Sequence, residues 1–80
     1  MAMTFDDEIL VALYYAALEN EVSGGFKISE FLPEDYSLLD ARNVAARLLS
    51  HRYIKIPQGM AASPIVYITE EGCKRAQSLL

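Results

Sequence analysis

Residues 41–56, ARNVAARLLSHRYIKI, decide the predicted fold because helical and strand periodicities meet inside them. Their first part predicts an amphipathic helix from Ala41 to His51, with Asp40 as its N-cap. The apolar residues that recur there at helical spacing are Ala41, Val44, Ala45, Leu48 and Leu49. The stretch from Tyr53 to Ile56 then favours a strand, because it is rich in β-branched and aromatic residues.

Residues 65–72, IVYITEEG, continue the pattern toward the C-terminus. Ile65 to Ile68 predicts a second strand, which forms a β-hairpin with the first through the long loop from Pro57 to Pro64. Thr69 then caps a final helix that runs toward Leu80. Its first turn is acidic, which suits the positive end of a helix dipole.

The N-terminal part of the chain predicts a longer helix. It begins at Thr4 or Asp6 and continues to about Asn20, and residues 23–25, SGG, end it. The acidic first turn again complements the helix dipole.

Between this helix and residue 41 the pattern is weaker. Residues 26–28 are too short for more than a strand stub, and Ser29 resembles the N-cap of a short helix, residues 30–32, which Pro33 breaks. The predicted order is helix, strand stub, short helix, helix, hairpin and helix, which is an α+β fold.

Length and composition predict one small folded domain spanning residues 1–80, because 80 residues with 52% apolar content leave no room for a second. The longest apolar run, Ile9 to Leu18, is ten residues, against the roughly 18 that a membrane helix needs. Neither a membrane span nor a signal peptide is therefore expected. Cys73 is a lone cysteine without Cys or His neighbours at metal-ligand spacing, which favours a reducing compartment and predicts a cytoplasmic protein.

The net charge of -4 conceals opposite charges in the two halves of the chain. Residues 1–40 hold nine acidic side chains and one basic one, whereas residues 41–80 hold six basic and two acidic ones. No acidic residue occurs from Ala41 to Thr69. This asymmetry predicts an anionic partner for the basic half, with chance segregation in a short chain as the alternative.

Two segments resemble the winged helix-turn-helix superfamily, in particular small bacterial domains of the MarR and PadR types. Val44-x-x-x-Leu48-Leu49-x-x-x-Tyr53-Ile54-Lys55 resembles a recognition helix that leads into the first wing strand, and Tyr67-Ile68-Thr69-Glu70-Glu71-Gly72 resembles the return from strand to helix. Arg52 departs from the family, which usually places a left-handed Gly there, at a cost on the order of 1 kcal/mol. The resemblance implies a three-helix core, a hairpin wing and a C-terminal helix, and double-stranded DNA bound by the helix 41–51 in the major groove.

The outward side of this helix and the first wing strand supply the predicted DNA contacts. Arg47, placed at the centre of that side, can bind guanine or clamp a phosphate. Arg47→Ala is expected to weaken DNA binding by roughly 1–3 kcal/mol if Arg47 contacts a base, and by less, with a smaller salt slope, if it contacts only a phosphate. Asn43 can bind adenine, and the other predicted contacts suit phosphates. The alternatives are a solvated Arg47, an Asn43 bonded to its local backbone, and a His51 favoured by the helix dipole alone. The predicted set is Arg42, Asn43, Arg47, Ser50, His51 and Lys55.

The predicted wing loop argues for a different class of function. It contains neither Lys nor Arg, and Met60-Ala61-Ala62 forms a small apolar tip. The alternative is therefore a winged-helix module that binds another protein through the N-terminal helix or this loop. Residue spacing shows no catalytic constellation, metal site or cofactor motif, so the main hypothesis is a transcriptional regulator rather than an enzyme.

The N-terminal helix also predicts a homodimer. At 100° per residue, one apolar stripe contains Phe5, Ile9, Leu13 and Ala16. A second stripe lies about 150° away and forms the predicted dimer interface, consisting of Leu10, Val11, Tyr14 and Leu18. The alternative is that the C-terminal helix of the same chain covers it.

Overall fold

The structure, a computed structural model, describes residues 3–57 and 64–80 and contains an α+β domain. In this part of the chain, three α-helices and a short 3-10 helix accompany a three-stranded antiparallel sheet. The elements in order are α1 (Phe5–Asn20), β1 (Gly24–Lys27), the 3-10 helix (Ile28–Phe31), α2 (Leu38–Ser50), β2 (Ile54–Lys55), β3 (Ile65–Ile68) and α3 (Glu70–Leu79). The predicted α+β class is confirmed, and the predicted apolar tip Met60-Ala61-Ala62 lies outside the described residues.

The sheet has the order β1-β3-β2, so the last strand in sequence lies between the other two. Burial alternates along the strands and directs Ile54, Val66 and Ile68 into the core. Gly24 pairs with Tyr67, where a Cβ atom would lie 2.6 Å from the Val66 carbonyl oxygen. Glycine is therefore required for β1 to approach β3 closely.

The central helix is α1, which packs against α2, α3 and the sheet. Ile9, Leu10 and Leu13 are all buried in the core, and so is Ala76 of α3. The Tyr14 hydroxyl accepts a hydrogen bond of 3.0 Å from Gln77 Nε2, which ties α1 to α3 on this side. Thr4, one of the two N-caps that the sequence allows, caps α1 through a 3.1 Å hydrogen bond from the Asp7 backbone N–H.

The predicted dimer interface on α1 is wrong for two of its four residues. Leu10 is 0% exposed and Val11 is also buried, because the chain's own elements cover this side of the helix. Tyr14 is half-buried against α3, and of the predicted set only Leu18 is largely exposed. The intramolecular alternative therefore accounts for most of the second apolar stripe.

The start of α2 differs from the prediction because Asp40 acts within a capping box rather than as the N-cap. The Ser37 hydroxyl accepts a 3.1 Å hydrogen bond from the Asp40 backbone N–H, and the Asp40 carboxylate accepts one of 2.9 Å from the Ser37 N–H. This reciprocal pair satisfies two free donors at the helix start. The helix consequently begins at Leu38, three residues before the predicted Ala41.

The helix α1 ends at Asn20, as predicted, but the residue that ends it differs from the prediction, and so does the start of the short second helix. Glu21, in the left-handed conformation at φ 56°, ends α1, so the glycines are left for β1. The short second helix is a 3-10 helix that begins at Ile28, so Ser29 lies inside it and does not cap it.

Arg52 adopts the left-handed conformation at φ 63°, at the position where the family pattern has glycine. The Arg52 and Tyr53 N–H groups donate to the carbonyls of Leu49 and Leu48, at 2.9 and 3.1 Å. This is a Schellman motif, which satisfies the last carbonyls of α2. The motif turns the chain directly into β2.

We expect Arg52→Gly to raise the free energy of unfolding by about 1 kcal/mol, because glycine has no Cβ to strain in this conformation. Urea unfolding measures the change. Arg52→Ala is the matched control, since it removes the same charge but retains a Cβ. Equal stabilities of the two variants would contradict the strain assigned to Arg52.

Candidate nucleic-acid interface

One side of α2 faces the solvent because the opposite side packs into the core. Four side chains, each at most 2% exposed, anchor the helix to the core, namely Ala41, Val44, Ala45 and Leu48. Their spacing turns the opposite side of the helix to the solvent, and we call its side chains the α2 face: Arg42, Asn43, Ala46 and Ser50, with Leu39, 64% exposed, at its N-terminal end. Ala46 and Ser50 allow another surface to approach the helix backbone closely in the C-terminal half of this face, whereas Leu39 projects from its N-terminal half.

Arg42 and Asn43 provide the hydrogen-bonding groups of the α2 face. Both are exposed, and neither side chain has a hydrogen bond or ion pair within residues 3–57 and 64–80. Arg42 offers a planar set of donors, and Asn43 offers a donor and an acceptor side by side. Both side chains are therefore available to an external ligand.

Arg47, the predicted centre of the interface, forms an ion pair within the chain. Its Nε and Nη2 atoms donate to the two carboxylate oxygens of Asp6, at 2.7 and 3.0 Å. At 100° per residue, Arg42 and Arg47 lie about 70° to either side of the centre of the exposed side, and Arg47 is on the flank that meets the start of α1. The hydrogen bond and the negative charge of Asp6 raise the pKa of the Arg47 guanidinium above its ordinary value. The guanidinium is thus already partnered, although its side chain remains 53% exposed.

Ser50 and His51 also make contacts inside the chain. The Ser50 hydroxyl donates a 2.6 Å hydrogen bond to the Arg47 carbonyl, which leaves its oxygen free only as an acceptor. The His51 ring stacks on Tyr53, with 5.3 Å between centroids and 17° between planes. His51 lines a pocket of about 300 Å³ with Asp6, Asp7 and Arg75, away from the α2 face.

Lys55 lies on the outer face of the sheet, where it pairs with Tyr67 of the central strand. Lys27 pairs with Ile65 at the other edge and is also exposed. Residue alternation along β1 could have identified Lys27, but a four-residue strand beginning with two glycines offers little pattern. The sheet therefore adds two cations to those on the predicted helix.

The charge asymmetry of the sequence is partly neutralised by the fold. Arg47 pairs with Asp6, and Arg75 pairs with Asp7 at 3.2 Å, so two bases of the C-terminal half meet the first turn of α1. The acidic first turn predicted to complement a helix dipole thus has a second role as an ion-pair partner. No local sequence pattern indicates these pairs, which join residues 41 and 68 positions apart.

Two further observations limit the chemistry of the described segments. They contain no group of three or more His, Cys, Asp or Glu side chains placed to hold a metal ion. Among the same residues, no helix is long and apolar enough to cross a membrane.

In comparisons with known proteins, no family model, no curated protein and no solved structure matches the chain significantly.

Proposed function

We propose that this chain is a winged-helix DNA-binding domain of a transcriptional regulator, with α2 as its recognition helix. The hairpin of β2 and β3 would be the wing, and the 3-10 helix with α2 would form the helix-turn-helix. The element order and the β1-β3-β2 sheet support this assignment, since they suit the architecture that the sequence resemblance implies. Dimerisation through α1 is not part of the proposal, because Leu10 and Val11 are buried.

The observation that carries the proposal is the α2 face. It contains no acidic residue, and it combines small side chains with Arg42 and Asn43, which have no hydrogen-bond or ion-pair partner among residues 3–57 and 64–80. A B-DNA major groove about 12 Å wide admits a helix, and Arg and Asn are the side chains that pair bidentately with guanine and adenine. Ala46 and Ser50, the small residues of the α2 face, let the helix approach the base edges.

The remaining cations suit the phosphate backbone. Arg52 and Lys55 follow α2 directly and are exposed. With Arg42, they give up to three phosphate contacts from α2 and the segment that follows it, each adding about 0.9 to the salt slope. We therefore expect weak binding that is strongly reduced between about 50 and 200 mM salt.

Titration of mixed-sequence duplex DNA at those two salt concentrations tests the proposal. We expect Arg42→Ala to weaken binding by roughly 1–3 kcal/mol if Arg42 contacts a base, and to lower the salt slope by about 0.9 if it contacts a phosphate. The matched control is Lys74→Ala, which removes the same charge from exposed α3 and should change affinity little. Absence of a salt-dependent complex, or equal losses in the two variants, would refute DNA binding by α2.

A protein-interaction module is the second candidate, and exposed leucines on α2 favour it. Leu39 is 64% exposed, and Leu38 and Leu49 are also exposed on the same helix. Exposed apolar side chains grouped on one element are typical of protein-binding surfaces. If wild-type protein fails to bind duplex DNA at low salt, this second function is the better account of α2.

A further inference from the structure

An apolar cleft of about 520 Å³ lies where the C-terminal end of α1 meets the end of β3 and the start of α3. None of the residues that line it belongs to α2 or to the predicted DNA-binding set. Its apolar wall consists of Tyr14, Ala17, Leu18, Val22 and Ile68. The cleft is therefore a separate feature from the proposed DNA interface.

The wall of the cleft is preformed and remains open to solvent. The Val22 N–H donates to the Ala17 carbonyl at 3.1 Å across the left-handed Glu21, which fixes the turn after α1. Leu18 is 56% exposed and Val22 is 48% exposed on this turn. A ligand can thus bury apolar surface here without rearranging the backbone.

The charges at the cleft are acidic. Glu21 and Glu70 line it. Glu19 follows the lining residue Leu18, and Glu71 follows the lining residue Glu70; both are exposed. Lys74 is the nearby cation on α3, and its 3.5 Å pair with Glu70 joins two largely exposed side chains, which contributes little. Glu21 has no ion pair among the residues that the structure describes.

We propose that this cleft binds a segment of a partner protein that combines a large apolar side chain with lysine or arginine. The apolar side chain packs between Leu18 and Ile68, and the cation faces Glu21 and Glu70. A second copy of the chain fits poorly, because a symmetric contact brings the same carboxylates of both copies together. Charge complementarity therefore favours a basic partner over self-association.

Peptide selection tests the proposal. Random peptides of about 12 residues, displayed on phage, are selected against the wild-type chain, and the enriched sequences are synthesised. We expect enrichment of Lys or Arg beside a large apolar residue. Bound peptide should slow the reaction of iodoacetamide with Cys73, which lines the cleft.

Charge reversal then locates the binding site. Glu21→Lys should weaken the selected peptides about tenfold, whereas Glu34→Lys, an equal change at an exposed residue outside the cleft, should leave affinity unchanged. Leu18→Lys is a second cleft variant that keeps the core intact, since Leu18 is largely exposed. Equal effects of Glu21→Lys and Glu34→Lys, selected peptides without basic residues, or a wild-type dimer that Leu18→Lys dissociates would each overturn the proposal.

Discussion

Gly72→Ala is expected to cost about 3 kcal/mol or more of the free energy of unfolding, enough to unfold much of so small a domain. A Cβ at this position would overlap the Tyr53 carbonyl oxygen and lie 2.8 Å from Ile68 Cγ1. The carbonyl belongs to the backbone between α2 and β2, which cannot rotate away as a side chain can. The first turn of α3 would have to move off the sheet.

The expected change in the free energy of unfolding is opposite in sign to the change that helix propensity predicts. In an exposed helix, Gly→Ala stabilises by about 1 kcal/mol through helix propensity, so propensity alone predicts the opposite result. Urea unfolding monitored by circular dichroism measures the difference. Glu71→Ala, at the exposed neighbouring position, is the control and should cost at most about 1 kcal/mol. A Gly72→Ala variant at least as stable as wild type would contradict the close approach of α3 to Tyr53.

The same contact explains why the C-terminal part of the fold was predictable from sequence. The Thr69 hydroxyl accepts a 3.0 Å hydrogen bond from the Gly72 N–H and donates one of 2.6 Å to the Arg52 carbonyl. The Thr69 N–H donates to the Tyr53 carbonyl at 3.0 Å. Thr69 and Gly72 therefore join α3 to the end of α2, and this local arrangement has a short sequence signature.

The sequence was less informative where two local signals compete. Ser37 and Asp40 are both good N-cap residues three positions apart, and the prediction chose Asp40 alone. The spacing is that of a capping box with Asp in place of Glu, which forms in the structure. The predicted helix therefore lacks residues 38–40. Its existence is confirmed, and so is its predicted buried side except for Leu49, which is 41% exposed.

Long-range contacts account for the remaining errors. The second apolar stripe of α1 required a cover, but sequence alone could not choose between α3 and a second copy. Similarly, Arg47 was predicted as a free side chain because its partner Asp6 lies 41 positions away. Periodicity predicts which side of a helix is buried, but not which charged group will meet its flank.

The Arg47–Asp6 pair leads to the last prediction, which rests on the proposed DNA interface. Asp6→Asn should raise the affinity for duplex DNA several-fold and increase the salt slope by about 0.9, because it releases one guanidinium beside the α2 face. The amide keeps the shape of the side chain but removes its charge. Since the pair is half exposed, the stability cost should be at most about 1 kcal/mol.

Asp7→Asn is the matched control for this variant. It changes net charge equally and in the same helical turn, but its partner is Arg75 of α3 rather than a residue of α2. Arg47→Ala should weaken DNA binding in the wild-type background, because it leaves the Asp6 carboxylate without its guanidinium partner beside the α2 face, and it should cancel the gain in the Asp6→Asn background. Salt-dependent titrations of the four chains of this double-mutant cycle give the coupling directly. Equal gains from Asp6→Asn and Asp7→Asn would show that net charge alone controls affinity, and that releasing Arg47 contributes nothing at the α2 face.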